Sequence, residues 1–582
     1  MNARRRLWRY IAPYKGQLLR GMACILMANL MGLAGPAVLR YAIDDLTAGV
    51  TQRKMLRYSG MILLVAIIQG IFLFFQRRII NVVSRHVEYN LSNDFYAHLQ
   101  RLSLEFYERH RTGDLMSRAT SDLSAVRMIV AGTIMYSVNT IIATALILPL
   151  MATIDWRLTI ISFLAMPLVI LATKIVSKQV HDESQKVQEH FGVISGRVQE
   201  SLAGVRVIRA YAQERDETLH FRRLNRGLVR RNMRLIHLTS LFTPLLRFFI
   251  GLGFLAVFWY GGRLTIVGVI SVGQFFQATL YLRRLIFPML EFGWVINLFQ
   301  RGMASMGRMH EVLSIEPANA DRSEHSRLTE IKGDIEFRHL TFTHQGGSQP
   351  VLKDINLRIG SGQVVAVVGG VGSGKSTLLN LVPRLLEAGP GEVLIDGHPI
   401  HEIPLKTLRA AISYVPQETF LFSETIRENI AFGAIEATAE EVERAAFEAG
   451  IAEEISEFSK GYETLLGERG VTLSGGQKQR TAIARALIRQ PRVLLLDDCL
   501  SSVDTQTEEE ILNHLRRLMR GRTCLIVSHR ISTVRDADLI VVLAEGRIAE
   551  RGTHDELIRS GGLYAQLYEK QLLEEELATL KV

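Results

Sequence analysis

At 582 residues the chain is too long for one hydrophobic core and must divide into several domains. Its mean hydropathy of +0.15 is high for a soluble protein, yet 22% charged residues is too many for a wholly membrane-embedded one. A membrane half joined to a soluble half satisfies both, and the net charge of +10 then needs locating before it can be read as a nucleic-acid signal.

The N-terminus carries Arg4-Arg5-Arg6, Trp8 and Tyr10 and no cleavable signal peptide, which reads as an interfacial amphipathic segment on the cytoplasmic side. Six hydrophobic segments follow: 21–39, 58–76, 128–154, 158–173, roughly 235–260 and roughly 272–300. Each approaches the ~20 residues that a helix needs to cross a bilayer core. Soluble core helices mimic one or two such runs but not six in succession. Asp155-Trp156-Arg157 forms a minimal turn, whereas connections 77–127 and 174–234 are long, polar and helix-prone. With a cytoplasmic N-terminus both long connections are cytoplasmic, and the helices are predicted to continue well past the bilayer. Segment 185–215, rich in helix formers and free of proline, supports this. Arg222, Arg226, Arg230 and Arg234 recur every four residues just before the fifth segment, where positive-inside bias places cytoplasmic arginines. The positive charge is therefore assigned to membrane topology, and no nucleic-acid partner is expected.

Gly261-Gly262 and Gly268 mark the loop between the last two segments. In the sixth, Arg283, Arg284 and Glu291 are charged at membrane depth, an expensive place that points to a cavity-facing role or to an ion pair between helices. Arg284 and Glu291, seven apart, share a helix face, and Pro288 between them is a kink candidate.

After Leu313 the polar stretch Glu316–Ser323 reads as a linker. The domains are thus expected at 1–315 (membrane), 316–332 (linker) and 333–582. In the last, strands and helices alternate as in an α/β domain with a mainly parallel sheet. The strand-like run Val364–Val368 ends at Gly369-Gly370-Val371-Gly372-Ser373-Gly374-Lys375-Ser376, followed by the helix-forming Thr377-Leu378-Leu379. This is the phosphate-loop pattern: glycines let backbone N–H groups close around an anion, and the next helix points its positive end there. Lys375 would reach the β- and γ-phosphates of a nucleoside triphosphate, and the Ser376 hydroxyl would take a Mg²⁺ position. Further on, Leu473-Ser474-Gly475-Gly476-Gln477 places a serine and two glycines at the start of a helix, a second anion site. The apolar run Val493–Leu496 fits a strand buried on both faces and delivers Asp497 and Asp498 to the ligand edge. Asp497 would hold Mg²⁺ through water, and Asp498 would face the attacking water. The three cysteines, Cys24, Cys499 and Cys524, support neither a disulfide framework nor a zinc site.

The order of phosphate loop, Leu473–Gln477, acidic strand end and Ser528-His529-Arg530 resembles the ATP-binding cassette (ABC) transporters. Phe106-Tyr107, Thr112-Gly113-Asp114-Leu115 and Arg118 with Asp122 extend the resemblance to ABC exporters of the bacterial multidrug half-transporter type. It covers almost the whole chain. The resemblance implies a six-span helical membrane domain with long cytoplasmic helices, followed by an α/β nucleotide-binding domain that uses ATP and Mg²⁺. It implies that Gln417 senses Mg²⁺ and links the nucleotide to the membrane domain, and that His529 contacts the γ-phosphate. It also places Asp504 in a loop crossing between paired cassettes and Gly467–Gly470 against the coupling helices. Ser474, Gly475, Gly476 and Gln477 would close over the nucleotide of a second half-transporter. The implied location is the inner membrane, among lipids, with a hydrophobic small molecule as cargo. An importer is disfavoured because importers carry their cassettes on separate chains.

Two positions depart from the family. His344 stands where an aromatic residue, often tyrosine, stacks on adenine. Asp498 replaces the catalytic glutamate, and the lost methylene withdraws the carboxylate by about 1.5 Å. Because positioned proton acceptance contributes roughly 10²–10⁴-fold and depends on reach, this site is expected to bind ATP and hydrolyse it poorly. The expected assembly is a heterodimer. The competing readings are a lipid or peptide exporter working as a homodimer, and an ATP-regulated membrane protein that gates without pumping.

The topology is testable with a membrane-impermeant thiol reagent on intact cells. A cysteine at Thr265 should be labelled and one at Ser323 spared; the reverse pattern would overturn the orientation.

Overall fold

The computed structural model describes residues 2–47, 49, 51–317, 330–344, 346–434, 436–467, 470, 473–499, 514, 516–517 and 519–579. Of these it gives the backbone alone for 163–175, 177, 181, 243, 246, 287–293 and 574–579. Glu291, Pro288, Glu468, Arg469, Asp504 and most of the linker therefore fall outside the described side chains or residues. The chain forms two compact units, 1–99 with 113–315 and 100–112 with 316–582.

The first unit is built from long helices: Lys15–Thr47, Gln52–Leu99, Ile134–Ile154, Trp156–Ala203, Glu214–Ile266 and Val272–Leu313. At 1.5 Å per residue the 53-residue helix Glu214–Ile266 spans about 80 Å, far beyond a hydrocarbon core of about 30 Å. Among the described residues, four helical stretches are long and apolar enough to cross a membrane: Ala3–Thr47, Gln52–Leu99, Thr112–Ile154 and Glu214–Ile266. Segments 158–173 and 272–300 lie on helices Trp156–Ala203 and Val272–Leu313.

Local chemistry sets where these helices start and stop. Asp155 alone separates two of them, and its Oδ1 accepts from Leu158 N at 2.6 Å to cap the second. Ser271 and Gln274 form a reciprocal capping box at the start of Val272–Leu313. Asp44 adds a tertiary clamp there, accepting from Ser271 Oγ (2.7 Å) and Gly273 N (2.8 Å). Gly261 and Gly262 do not break the preceding helix, which runs to Ile266. A Cβ at Gly261 would lie 2.9 Å from the Phe275 ring, so this glycine serves helix packing, and the turn falls instead at Gly268, with φ +81°.

In the second unit a six-stranded sheet runs in the order β10 (Arg547–Gly552), β9 (Leu539–Ala544), β3 (Val364–Gly369), β8 (Thr523–Val527), β7 (Val493–Asp497), β6 (Ile412–Val415). All its pairings are parallel except β9–β10. A four-stranded antiparallel sheet, ordered β2 (Leu352–Ile359), β1 (Ile335–Phe342), β4 (Val393–Ile395), β5 (His398–Pro399), covers one face. Side-chain alternation explains the layering. Val365, Val367, Leu495 and Leu525 face the smaller sheet. Leu494, Leu496, Cys524 and Ile526 face a helical layer that includes Gly475–Leu487, and Ala366 and Val368 face Ile531, Val534 and Tyr564. The central strands are therefore buried on both faces, and their C-terminal ends converge on one edge.

Within the first unit, Arg308 grips the buried Asp122, with Nε donating to Oδ2 at 2.9 Å and Nη2 to Oδ1, and Nη2 also reaches Ser305 Oγ (3.0 Å). Removing one partner of a buried pair leaves a charge uncompensated. Because half of the Arg308 side chain is exposed, Arg308→Ala should cost about 1–3 kcal/mol rather than more. Thermal unfolding in detergent should show this as a lowered Tm, partly recovered in the Asp122→Ala/Arg308→Ala pair. An unchanged Tm would refute the role.

Candidate nucleotide site

Strand β3 ends at Gly369, whose φ of +155° and close approach to the Leu543 carbonyl leave no space for a Cβ. The loop then turns through Gly372 (φ +79°) and Gly374 (φ +99°) into helix Lys375–Leu381. A Cβ at Gly374 would lie 2.7 Å from Leu352 Cδ2, so packing against β2 also demands glycine. Val371, at the loop tip, is 96% exposed.

Lys375 is buried, its Nζ donating to the Gly369 and Gly370 carbonyls at 3.0 and 2.7 Å. Burial pushes this ammonium below the usual lysine range, opposed by the charges of Asp498 and Asp497. Ser376 Oγ donates to Asp497 Oδ1 at 3.1 Å and Tyr414 OH to Oδ2 at 3.3 Å. Burial raises the Asp497 carboxyl despite both hydrogen bonds, with the neighbouring Asp498 adding to the rise. Burial, and then Asp497, likewise push the Tyr414 phenol up. Tyr414 is the contact that sequence reasoning missed; it is brought there by the parallel register of β6 on β7, with Tyr414 opposite Leu495.

Asp498 follows β7 in a left-handed conformation, φ +41°, its N–H donating to the Val527 carbonyl at 2.8 Å. Aspartate tolerates this conformation better than most residues. The turn brings Oδ2 to 3.5 Å from Gln417 Nε2 and Oδ1 to 3.5 Å from His529 N. Cys499, directly after it, is buried, and burial raises its thiol to about 12. It is an inert thiol.

The structure thus brings together the phosphate loop, Asp497, Asp498, Gln417 and the backbone of His529. His344 stands two residues past Phe342, whose carbonyl accepts from Val351 N, and Val351 in turn packs beside Gly374. Its ring meets Phe342 edge-on at 5.1 Å, and Nδ1 lies 4.0 Å from Glu105 Oε1 on helix Leu104–Arg109 of the same unit. Ser474–Gln477 are elsewhere. Ser474 caps helix Gly475–Leu487 through a capping box with Gln477, and Gln477 Nε2 donates to Glu454 at 2.9 Å. Ser474 and Gly475 are exposed, and among the described residues no hydrogen bond joins them to the phosphate loop.

ATP and Mg²⁺ fit this donor set. Ser373 Oγ is buried at the loop with no hydrogen-bond partner, an orphan in a place where phosphate oxygens would be acceptors. Ser376 and Asp497 form a hard oxygen pair suited to Mg²⁺.

Residues 18–289 match the family described as ABC transporter transmembrane region, and 352–501 match ABC transporter. The chain is 38% identical to a probable multidrug resistance ABC transporter ATP-binding/permease protein, YheI of Bacillus subtilis, over 94% of each chain. It is 34% identical to the ATP-dependent lipid A-core flippase of Syntrophus aciditrophicus, covering 99% of this chain and 96% of that one. Identity is also 34% to the multidrug resistance-like protein MdlA of Escherichia coli, over 98% and 95%. A bacterial Atm1-family ABC exporter solved with ATP bound superposes with a TM-score of 0.79 at 27% identity, covering 96% of this chain and 99% of that one.

Lys375→Ala removes a charge-assisted donor worth about 1.5–3 kcal/mol. Equilibrium binding of labelled ATP to the purified chain should weaken by about ten- to a hundredfold. Unchanged affinity would remove the phosphate-loop assignment.

Proposed function

The chain belongs to the ABC transporters, with an exporter fold, a multi-pass inner-membrane location and an ATPase domain in the cytoplasm, and on that premise we propose that it is one half of an ATP-driven exporter of hydrophobic or amphipathic compounds. The observation that carries this is the half-built site. The phosphate loop has its lysine, acidic pair and glutamine around it, while the intact Ser474–Gln477 cap faces outward on the same chain. Such a cap belongs over the nucleotide of a second cassette, so two chains complete two sites. The names of relatives, multidrug and lipid A-core flippase, support an amphipathic cargo.

In this reading Lys375 exchanges the Gly369 and Gly370 carbonyls for phosphate oxygens, and Ser373 finds its acceptor. Ser376, Asp497 and Gln417 would hold Mg²⁺, whose charge would offset that of the phosphates. Lys375 alone faces two carboxylates, so divalent charge is needed before a polyphosphate is welcome. His344 stacks on the base, and His529 reaches the terminal phosphate. Asp498 accepts a hydrogen bond from the attacking water, but from a carboxylate about 1.5 Å further back than a glutamate's. Its left-handed turn and its contacts to Gln417 and His529 N fix it there. Closure of paired cassettes is passed through the long cytoplasmic helices to the membrane helices, six spans per chain, and hydrolysis resets them. ATP-dependent accumulation of a lipophilic dye in inside-out vesicles should separate export from a gating role. ATP binding without accumulation would favour the latter.

The weak carboxylate beside an intact signature favours a heterodimer whose partner carries glutamate after its Mg²⁺-binding aspartate. A homodimer with aspartate as a slow catalytic carboxylate is the alternative. In the assembled complex, Asp498→Asn should change steady-state hydrolysis by less than about twofold, because the partner's site dominates. Ser474→Arg or Gly476→Asp should lower it by about 10² or more, the scale of lost charge-stabilising contacts. A stable homodimer of this chain whose ATPase is abolished by Asp498→Asn would sink the heterodimer.

A further inference from the structure

The membrane unit contains a cavity of about 240 Å³ where four helices meet, lined by Ala28, Asn29, Leu33, Gln69, Leu73, Asn139, Ala143, Ile147 and Arg284. Asn29, Gln69 and Asn139 lie within the apolar stretches 21–39, 58–76 and 128–154, so the cavity sits at membrane depth. Arg284 is half-buried there, and among the described residues no ion pair is formed by it. A guanidinium at this depth is expensive unless something compensates it.

Its surroundings are arranged to hold it in place. Gly32 faces the guanidinium so closely that a Cβ there would collide with Arg284 Nη1, and the same Cβ would lie 2.9 Å from Gln69 Nε2. Asn29 Nδ2 is committed, donating to the Ile25 carbonyl and to Asn139 Oδ1, both at 2.9 Å. That bond engages the carbonyl oxygen of Asn139. The polar side of the cavity thus holds the five N–H groups of Arg284, the one charged group in its described lining, beside the carboxamides of Asn29, Gln69 and Asn139, which bring both donors and acceptors. The opposite wall, Leu33, Leu73, Ala143 and Ile147, is aliphatic. At roughly 30 Å³ per water, the volume admits a carboxylate or phosphate with a few waters and the first methylenes of a chain, but not a whole lipid.

We propose that this cavity binds the anionic end of an amphipathic substrate, with Arg284 as its counter-ion and Gly32 as the residue that lets the guanidinium lie in the cavity. This names the substrate class of the exporter reading and rests on it for biological meaning only, since binding is measured without ATP.

The test uses the purified full chain in nanodiscs of zwitterionic lipid, with fluorescent cis-parinaric acid and its neutral methyl ester as probes. The wild type should bind the acid at least about tenfold more tightly than the ester, a difference of about 1.4 kcal/mol. Arg284→Gln should bring the ratio to within about twofold while ester affinity is kept, and Arg284→Lys should restore part of it. Gly32→Ala keeps the charge but displaces it, and should also lower the ratio. A wild-type ratio near one, or a ratio unmoved by Arg284→Gln and Gly32→Ala, overturns the site. So does a preference that emerges only in Glu291→Gln, because Arg284 would then be neutralised on its own helix face. Displacement of the acid by millimolar inorganic phosphate would mean a free-anion site and overturn the amphipathic part. Dye export with a ratio of one removes this proposal and leaves the exporter. A ratio of ten without any ATP-driven accumulation does the opposite.

Discussion

A lysine ammonium held out of water by two glycine carbonyls is the constraint on which the nucleotide-binding unit depends. Lys375 Nζ reaches Gly369 O and Gly370 O only because the loop curls back over the first turn of its helix. That curl needs left-handed backbone at Gly372 and Gly374, and side-chain-free contact with β2 and β9 at Gly374 and Gly369. Both contacts require strands already packed in register, so the site is assembled by the sheet rather than by the loop alone. The neighbouring order β3–β8–β7–β6 then fixes the remaining chemistry, because parallel strands deliver Asp497, Asp498 and Tyr414 to one edge.

The same edge holds Asp498, on which the proposed weak site rests. Asp498 is not free to lean forward: its N–H is tied to Val527, its φ is left-handed, and both carboxylate oxygens already have neighbours. By contrast the serine–glycine cap at Ser474 is complete in itself, with its N-cap hydrogen bond, its reciprocal glutamine and an exposed N-terminus. In the proposed heterodimer the shorter carboxylate would serve this chain's own phosphate loop, and the complete cap would serve the partner's.

Much of this was legible in the residues. The phosphate loop, the apolar strand with its acidic end and the signature helix are local patterns, each set by a few adjacent φ/ψ and side-chain choices. The short turn read at 155–157 is a break at Asp155 alone, and the helix-prone 185–215 is helical to Ala203 and again over Val205–Ala210; both were readable in outline, since capping and the absence of proline are local. What could not be read is what depends on distant partners. Gly261 and Gly262 look like a turn until Phe275 packs against Gly261. Tyr414 looks like a strand residue until β6 pairs with β7. Residues 100–112 read as part of the long cytoplasmic connection 77–127 of the first domain, yet they group with 316–582. Asp44, 227 residues before Ser271, caps the helix it could not be linked to by spacing.

Two cations of this chain, Lys375 buried and Arg284 half-buried, are solvated in different ways, and the contrast says what each environment lacks. Lys375 has carbonyl oxygens in hand and two carboxylates acting on it, so its charge is satisfied at rest and can be traded for phosphate oxygens at little cost. Arg284 has amides, a glycine backbone and aliphatic walls around it, and among the described residues no acid. Neutral carboxamides offer a carbonyl acceptor and N–H donors, so they can solvate a charge of either sign but cannot neutralise it. A cavity that holds a cation and neutral amides, with no acid in its described lining, carries a net positive charge, and under the proposal an anionic group from outside the described side chains offsets it.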